Sequence, residues 1–248
     1  MLTEERYQAI LNLLDVQKAV TVTELTQLLD SSESTVRRDL AALASMGKLK
    51  KVHGGATAVT SVFTTQERGM AEKYALNTDD KRAIARAAAA MIKPRDFVYL
   101  DAGTTTEYLA EYLTMADATY VTNGIHLAKK LVHRGLNVYV PAGRIKARTE
   151  AIIGGEAADS LSRYHFSLGF FGANGINIAE GYTTPDIEEA RVKTAAVNRC
   201  AAAFVLADPS KFNQIHPVSF APLERAAIVT TSLPDPAFRA RTQIIEVG

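Results

Sequence analysis

Beyond Phe97 the chain alternates short apolar, β-forming runs with stretches of helical periodicity, and that alternation leaves few folds open. The β-forming runs are 97–101, 119–122, 137–140, 166–171, 203–207 and 226–230. Between most of them lie helical stretches at 106–112, 125–133, 155–161 and 186–201, with Gly135 where a helix C-cap is expected. This order predicts an α/β domain with a mostly parallel sheet. Ligands of such sheets sit beyond the carboxyl ends of the strands. Five successive strand ends carry polar clusters: Asp101–Thr106, Thr122-Asn123-Gly124, Ala142-Gly143-Arg144, Gly172-Ala173-Asn174-Gly175 and Asp208-Pro209-Ser210-Lys211. A shared polar pocket explains five such clusters better than five unrelated turns.

The first cluster, Asp101-Ala102-Gly103-Thr104-Thr105-Thr106, follows the apolar run Phe97-Val98-Tyr99-Leu100. After it, Tyr108, Leu109, Tyr112 and Leu113 share one helical face, so the six residues occupy a strand-to-helix turn. Thr104 and Glu107 have the spacing of a capping box, which places the helix start here. A helix start offers unpaired N–H groups and the positive end of the dipole. Three hydroxyls and an open glycine add to that. Locally the turn reads either as a phosphate or carboxylate cradle or as a capped turn with spare threonines. The four further clusters favour the cradle.

The N-terminal part has a different pattern. Thr3 can cap a helix with Tyr7, Ile10, Leu11 and Leu14 on one face, and Val20-Thr21-Val22 is a short extended piece. Thr23 then caps a helix carrying Leu25, Leu28 and Leu29. Ser32 caps a third, with a core face of Val36, Leu40 and Leu43, and Gly47 ends it. Opposite that core face lie Ser34, Arg38, Ala41 and Ser45, with Thr35 and Arg37 beside them. Lys48-Leu49-Lys50-Lys51-Val52-His53-Gly54-Gly55 forms a basic hairpin. Three short helices and a basic hairpin predict a winged helix-turn-helix over residues 1–57, with the helix-turn-helix at about 20–39. Charge supports this once it is located. Residues 1–57 hold seven Lys/Arg and seven Asp/Glu, whereas residues 34–53 hold five basic residues and one acid, Asp39. The positive charge is confined to the third helix and the wing, as a groove-reading surface requires. The expected DNA contacts are Ser34, Thr35, Arg37, Arg38, Lys48, Lys50, Lys51 and His53.

Residues 58–74 have weak periodicity and read as a linker, and 75–248 as the α/β domain, opening with an Ala-rich helix from Thr78 to about Met91. A single cysteine, Cys200, excludes an internal disulfide. It falls in the helical stretch 186–201 and reads as a packed small residue. No apolar run is long enough to span a bilayer, the N-terminus is unlike a signal peptide, and a cytoplasmic protein is expected. The five histidines show no metal spacing, and no GxSxG, P-loop or GxGxxG occurs. No metal or cofactor is expected.

The pieces Ser32-Glu33-Ser34-Thr35-Val36-Arg37-Arg38-Asp39-Leu40, Val52-His53-Gly54-Gly55-Ala56, Asp101–Thr106 and Val121-Thr122-Asn123-Gly124 together resemble the DeoR family of bacterial transcriptional regulators. The resemblance covers nearly the whole chain. Ala151-Ile152-Ile153-Gly154-Gly155, Gly181-Tyr182-Thr183-Thr184-Pro185-Asp186 and Leu206-Ala207-Asp208-Pro209-Ser210-Lys211-Phe212 are most similar to its fructose-operon members from Gram-positive bacteria. Pro141-Ala142-Gly143 departs from the paired glycines usual in the family. The resemblance implies a sensor domain related to sugar-phosphate isomerases, double-stranded operator DNA as partner, and an oligomer, dimer or tetramer, as the working form. It also implies a phosphorylated sugar as inducer, fructose 1-phosphate first, with tagatose, galactitol or lactose phosphates as alternatives. The expected effector contacts are Lys81, Asp101, Gly103, Thr104, Thr105, Thr106, Asn123, Gly143, Asn174, Glu188, Lys193, Asp208 and Lys211. The isomerases resemble this chain but carry an aspartate on each side of the segment matching Gly172-Ala173. Phe171 and Asn174 stand there and neither can exchange a proton near neutral pH, so no enzymatic activity is expected, and a sugar-phosphate isomerase with an added DNA-binding domain is the lesser alternative.

Overall fold

The structure, a computed structural model, describes residues 2–46, 48–58, 62–65, 68–114 and 116–248. It divides into two compact units, Met1–Ser61 with Pro234–Ala240 and Val62–Leu233 with Arg241–Gly248.

The first unit contains α1 (Thr3–Gln17), β1 (Ala19–Thr21), α2 (Val22–Leu28), α3 (Glu33–Ser45), β2 (Leu49–Val52) and β3 (Gly55–Ala58). The three strands form an antiparallel sheet in the order β1-β3-β2. Ile10, Leu14, Leu25, Val36, Leu40 and Leu43 meet in one core, as their helical spacing predicts. Two caps differ from expectation. The Thr21 hydroxyl accepts the Glu24 N–H at 3.1 Å while the Glu24 carboxylate accepts the Thr21 N–H at 2.7 Å. This reciprocal box places the cap of α2 at Thr21, two residues before the predicted cap, Thr23, and carries Val22 into the helix as a buried residue. Thr3 is the first residue of α1 rather than its cap, and Glu5 accepts the Leu2 N–H at 2.8 Å. Ser32 does cap α3, accepting from the Thr35 N–H at 3.3 Å. Gly47, the predicted end of α3, lies outside the described residues. Gly54 turns the hairpin at φ +80°, where a side chain strains the backbone, and a Cβ on Gly55 would lie 2.0 Å from the Val20 carbonyl oxygen, where none fits.

The second unit opens with β4 (Val62–Phe63), α4 (Met70–Ala75) and α5 (Thr78–Ala89). It continues with β5 (Phe97–Leu100), α6 (Thr104–Tyr112), β6 (Thr119–Thr122), α7 (Ile125–His133), β7 (Asn137–Tyr139) and a hairpin of β8 (Arg144–Lys146) and β9 (Ala151–Ile153). Then come α8 (Gly155–Leu161), β10 (Phe166–Gly172), β11 (Gly175–Asn177), β12 (Gly181–Thr184), α9 (Ile187–Val197), β13 (Cys200–Leu206), β14 (Gln214–Ile215), β15 (Val218–Ala221), β16 (Ala227–Thr230) and β17 (Ile244–Glu246). Seven strands form the central sheet, in the order β17-β16-β13-β10-β5-β6-β7, and every pairing in it is parallel. The chain enters the sheet at β5, adds β6 and β7 on one side, then β10, β13, β16 and β17 on the other. The strand order therefore reverses between β5 and β10, the place where a parallel sheet opens a crevice for ligands.

Three sequence expectations are corrected here. The linker expected at 58–74 is structured where it is described. Val62 and Phe63 pair in parallel with β14, through Val62 N–H to Asn213 O at 2.9 Å and Thr64 N–H to Ile215 O at 3.0 Å, and Met70–Ala75 is helical. Residues 59–61 and 66–67 of that segment lie outside the described residues. The helix expected at 186–201 stops at Val197, and Cys200 begins β13 opposite Phe166. The alanines of 200–206 favour a helix locally, but the sheet is covered on both faces and takes small side chains. A Cβ on Gly169 would fall 2.3 Å from the Cys200 sulfur, so packing sets both residues. Burial pushes the Cys200 thiol up to about 12, consistent with a packing role. A third set of strands, β11-β12-β15, forms a small antiparallel sheet that the periodicity did not predict.

Candidate functional site

Two regions carry the expected chemistry. In the first unit, α3 presents Ser34, Arg37, Arg38, Ala41 and Ser45 to solvent, and the wing presents Lys48, Lys50, Lys51 and His53. Arg37 pairs with Glu33 one turn earlier, through Nε at 2.9 Å. Thr35 is half-buried and its hydroxyl lies 2.9 Å from that of Ser32. Arg38 has no side-chain partner among the described residues. The one acid of this stretch, Asp39, is 3 % exposed and bound by the Arg6 guanidinium at 2.7 and 3.2 Å. It ties α1 to α3 and does not reach the basic face, so the exposed surface is more positive than the residue count implies.

In the second unit the crevice between the ends of β5 and β10 opens into a cavity of about 400 Å³. Its floor is the turn Ala102–Thr106. Glu107 N–H is the first to find a helical acceptor, Gly103 O at 2.9 Å, so the N–H groups of Thr104, Thr105 and Thr106 have none. All three threonines line the cavity. The predicted capping box is absent: Gly103 is the cap, and Thr104 is already helical. Glu107 is drawn away to the Tyr74 hydroxyl and to Lys130 at 3.3 Å. The Thr106 hydroxyl instead donates to the carbonyls of Asp101 at 2.6 Å and Gly103 at 2.8 Å, which stiffens the turn from below.

Asp101 lies beneath the floor, 1 % exposed. It accepts from Lys193 Nζ and from the Gly172 N–H at 3.0 Å, joining the ends of β5 and β10 through α9. Burial pushes its carboxyl above the ordinary range, against the opposing pull of Lys193 and Gly172. Lys193 also donates to Gly172 O at 3.1 Å. On the β13 side, Asp208 Oδ1 accepts from Asn77 Nδ2 at 2.8 Å and from the Ser210 N–H at 3.0 Å. Lys81 is buried and donates to the Lys73 carbonyl. Its ammonium is pulled down to about 8 by burial; Asp208 opposes this, and Lys211 and Lys73 add to it. Among the described residues, Arg68, Lys73, Lys81, Lys193 and Lys211 line the cavity against two carboxylates, Glu189 and Asp208. Glu189 is itself occupied by Lys146 at 3.2 Å and Thr149 at 2.7 Å. The balance favours an anion.

Of the predicted effector contacts, Lys81, Gly103, Thr104, Thr105, Thr106, Asn174, Lys193, Asp208 and Lys211 line this one cavity, with Asp101 directly below. Three do not. Asn123 is a strut behind the turn, where its Oδ1 accepts from Tyr99 at 3.0 Å and Ala102 at 2.9 Å and its Nδ2 donates to Ile152 O at 3.2 Å. Gly143 is held at φ +130°, where a Cβ would come within 2.8 Å of the Ile153 carbonyl oxygen. Both follow β6 and β7, on the flank of the sheet away from the reversal. Glu188 sits beside Gly154 outside the cavity, and its neighbour Glu189 takes the inward position. Sequence reasoning missed Thr64, Arg68, Lys73, Asn77, Glu189 and His216. Arg68 and Lys73 were legible as charges, but nothing local places their segment over the strand ends. Phe171 is buried against Tyr99 with ring centroids 5.3 Å apart, and the Asn174 side-chain carbonyl accepts from Thr184 at 3.2 Å. Neither offers an acid or a base.

Residues 6–62 match the family model of the DeoR-like helix-turn-helix domain, and residues 76–232 that of the DeoR C-terminal sensor domain. The chain is similar to the HTH-type transcriptional regulator FruR of Bacillus subtilis, 40% identical over 96% of this chain and 94% of that one. It is also similar to the lactose phosphotransferase system repressor of Streptococcus mutans, 31% identical over 95% and 94% of the two chains. Among solved structures, ribose 5-phosphate isomerase A of Methanocaldococcus jannaschii aligns with 55% of each chain at 15% identity and a TM-score of 0.40. The matched families and these full-length relatives are transcriptional regulators, not enzymes. Among the described residues no helix is long and apolar enough to cross a membrane.

Proposed function

The chain belongs to the DeoR family of transcriptional regulators, and from that premise we propose that it represses a fructose operon and leaves its operator when fructose 1-phosphate binds. The observation that carries the sugar-phosphate part is the cavity: three first-turn N–H groups, the hydroxyls of Thr104 and Thr105 and an excess of cations among the described residues around one crevice. A phosphate dianion matches that donor set, and the asparagine and carboxylate side chains beside it suit sugar hydroxyls. Support for fructose comes from the similarity to FruR. In a homo-oligomer, operator and inducer affinities oppose each other by one coupling energy, typically ~1–3 kcal/mol. The test is operator release during titration with fructose 1-phosphate, with fructose and fructose 6-phosphate in parallel. Release by fructose 1-phosphate alone is expected. Equal release by unphosphorylated fructose would remove the phosphate from the reading. The similarity to a lactose phosphotransferase repressor favours a second reading, with a tagatose, galactitol or lactose phosphate as inducer, and tagatose 6-phosphate belongs in the same titration.

For DNA, the third helix reads the major groove and the wing rests on the backbone. Arg38, exposed and without a side-chain partner among the described residues, contacts a base edge, guanine by preference. Arg38→Ala should cost about 1–3 kcal/mol at the operator and relax specificity at one position. Lys50→Ala should weaken binding evenly across sequences and flatten the salt dependence. A gel-shift series over operator variants and salt separates the two. Unchanged affinity and specificity in Arg38→Ala would assign the reading role to another side chain.

A further inference from the structure

We propose that His216 is a specificity-determining residue of the effector cavity, hydrogen-bonding a sugar hydroxyl rather than the phosphate; this rests on the sugar-phosphate reading above. His216 follows β14 directly and lines the cavity. It is 7 % exposed, and its Nδ1 is buried with no hydrogen-bond partner among the described residues, alone in that among their buried side-chain nitrogens and oxygens. Buried polar atoms are nearly always satisfied, so an unpaired one on a residue that lines a cavity marks a place for a ligand. The backbone of the residue is fixed, since its N–H donates to the Thr183 hydroxyl at 3.0 Å. The ring is anchored as well, because its other nitrogen bonds the Asn174 backbone and Nδ1 is the one left unpaired.

The surroundings decide what the ring can bind. Burial holds the imidazole below its ordinary range, Lys211, Lys73 and Arg68 lower it further, and only a hydrogen bond with the Asn174 backbone opposes them. A ring among cations stays neutral, and a neutral imidazole carries one donor and one acceptor. It adds little to holding a dianion, for which the lysines and the α6 terminus already serve. It is well suited to a hydroxyl: with its N–H given to the Asn174 backbone, the ring offers Nδ1 as an acceptor for the hydroxyl hydrogen. Asn174, joined to the ring through its backbone, lines the same wall and is the natural second contact.

The experiment is calorimetric titration of the full chain with inorganic phosphate, fructose 1-phosphate, fructose 6-phosphate and tagatose 6-phosphate. It compares wild type with His216→Phe, which keeps the ring's bulk, and His216→Asn, which keeps polarity. For whichever sugar phosphate wild type binds most tightly, His216→Phe should lose about 10- to 100-fold in affinity, one neutral hydrogen bond to a buried group. Inorganic phosphate should bind all three proteins alike, and His216→Asn should recover part of the loss. Undiminished sugar-phosphate binding by His216→Phe overturns the assignment of His216 while leaving the sugar-phosphate reading intact. Equal loss of phosphate and sugar phosphate overturns it too, by making the residue structural. Wild type that binds phosphate but none of the three sugar phosphates takes down the reading and this inference together.

Discussion

Gly103→Asp should yield a repressor that holds its operator and ignores its inducer. The backbone at Gly103 has φ 165°, extended geometry open to any residue, and a Cβ there would meet only the Thr106 hydroxyl, at 3.5 Å. The aspartate therefore fits without strain, and as a helix cap it suits the position. That is the source of its effect. Its carboxylate would take the first-turn N–H groups offered to the phosphate, and would add a negative charge where the phosphate lies. At an effective dielectric of about 20, two unit charges 4 Å apart repel by roughly 4 kcal/mol, and half of that already weakens binding by about one to two orders of magnitude. Thr105→Ala removes a hydroxyl and keeps the N–H groups, so a partial loss is expected. The measurement is operator release against fructose 1-phosphate, with melting temperature as control. Normal release by Gly103→Asp at wild-type stability would show that the phosphate is held elsewhere.

The second large effect belongs to the pair under the cradle. Lys193→Met leaves Asp101 buried with only the Gly172 N–H beside it. Removing one partner of a buried pair typically costs about 3–5 kcal/mol, or roughly 6–20 °C in melting temperature for a unit of this size. Asp101→Asn combined with Lys193→Met should recover much of the loss, because no uncompensated charge remains. The pH dependence has a definite sign. Burial already holds the Asp101 carboxyl above its ordinary range, and losing Lys193 raises it further. A carboxyl raised in the folded state binds more protons there than in the unfolded chain, so stability falls as pH rises through that window. The deficit of Lys193→Met should therefore shrink as pH drops from neutral towards ~4, the ordinary carboxylate range. Thermal melts at several pH values measure this. A single mutant as stable as wild type across the range would mean that Asp101 does not depend on Lys193.

Much of this protein can be read along the chain because helix faces and caps are local. Val36, Leu40 and Leu43 point inward and Arg38 outward for reasons contained in one helix, and the strand-to-helix turn at Asp101–Thr106 needs only its own ten-residue neighbourhood. Local logic also sets its own errors. Thr23 and Thr21 are both plausible caps, and only the reciprocal bond with Glu24 selects Thr21. The alanines before Leu206 favour a helix until the sheet claims them.

By itself, the sequence determined the alternation of strands and helices, the basic third helix and wing, and the polar residue at the end of each strand. Spacing and capping chemistry carry all of these within a dozen residues. Only the tertiary structure decided which strand ends share a cavity. Five clusters look equivalent in sequence, but the order β13-β10-β5-β6-β7 brings three of them together at the reversal and leaves Asn123 and Gly143 on the flank. It also decided that Glu189 and not Glu188 faces inward, since adjacent helical residues point about 100° apart. And it laid Thr64, Arg68, Lys73, Asn77 and His216 over the strand ends through a β4–β14 pairing more than 150 residues apart in the chain, a contact that no local pattern encodes.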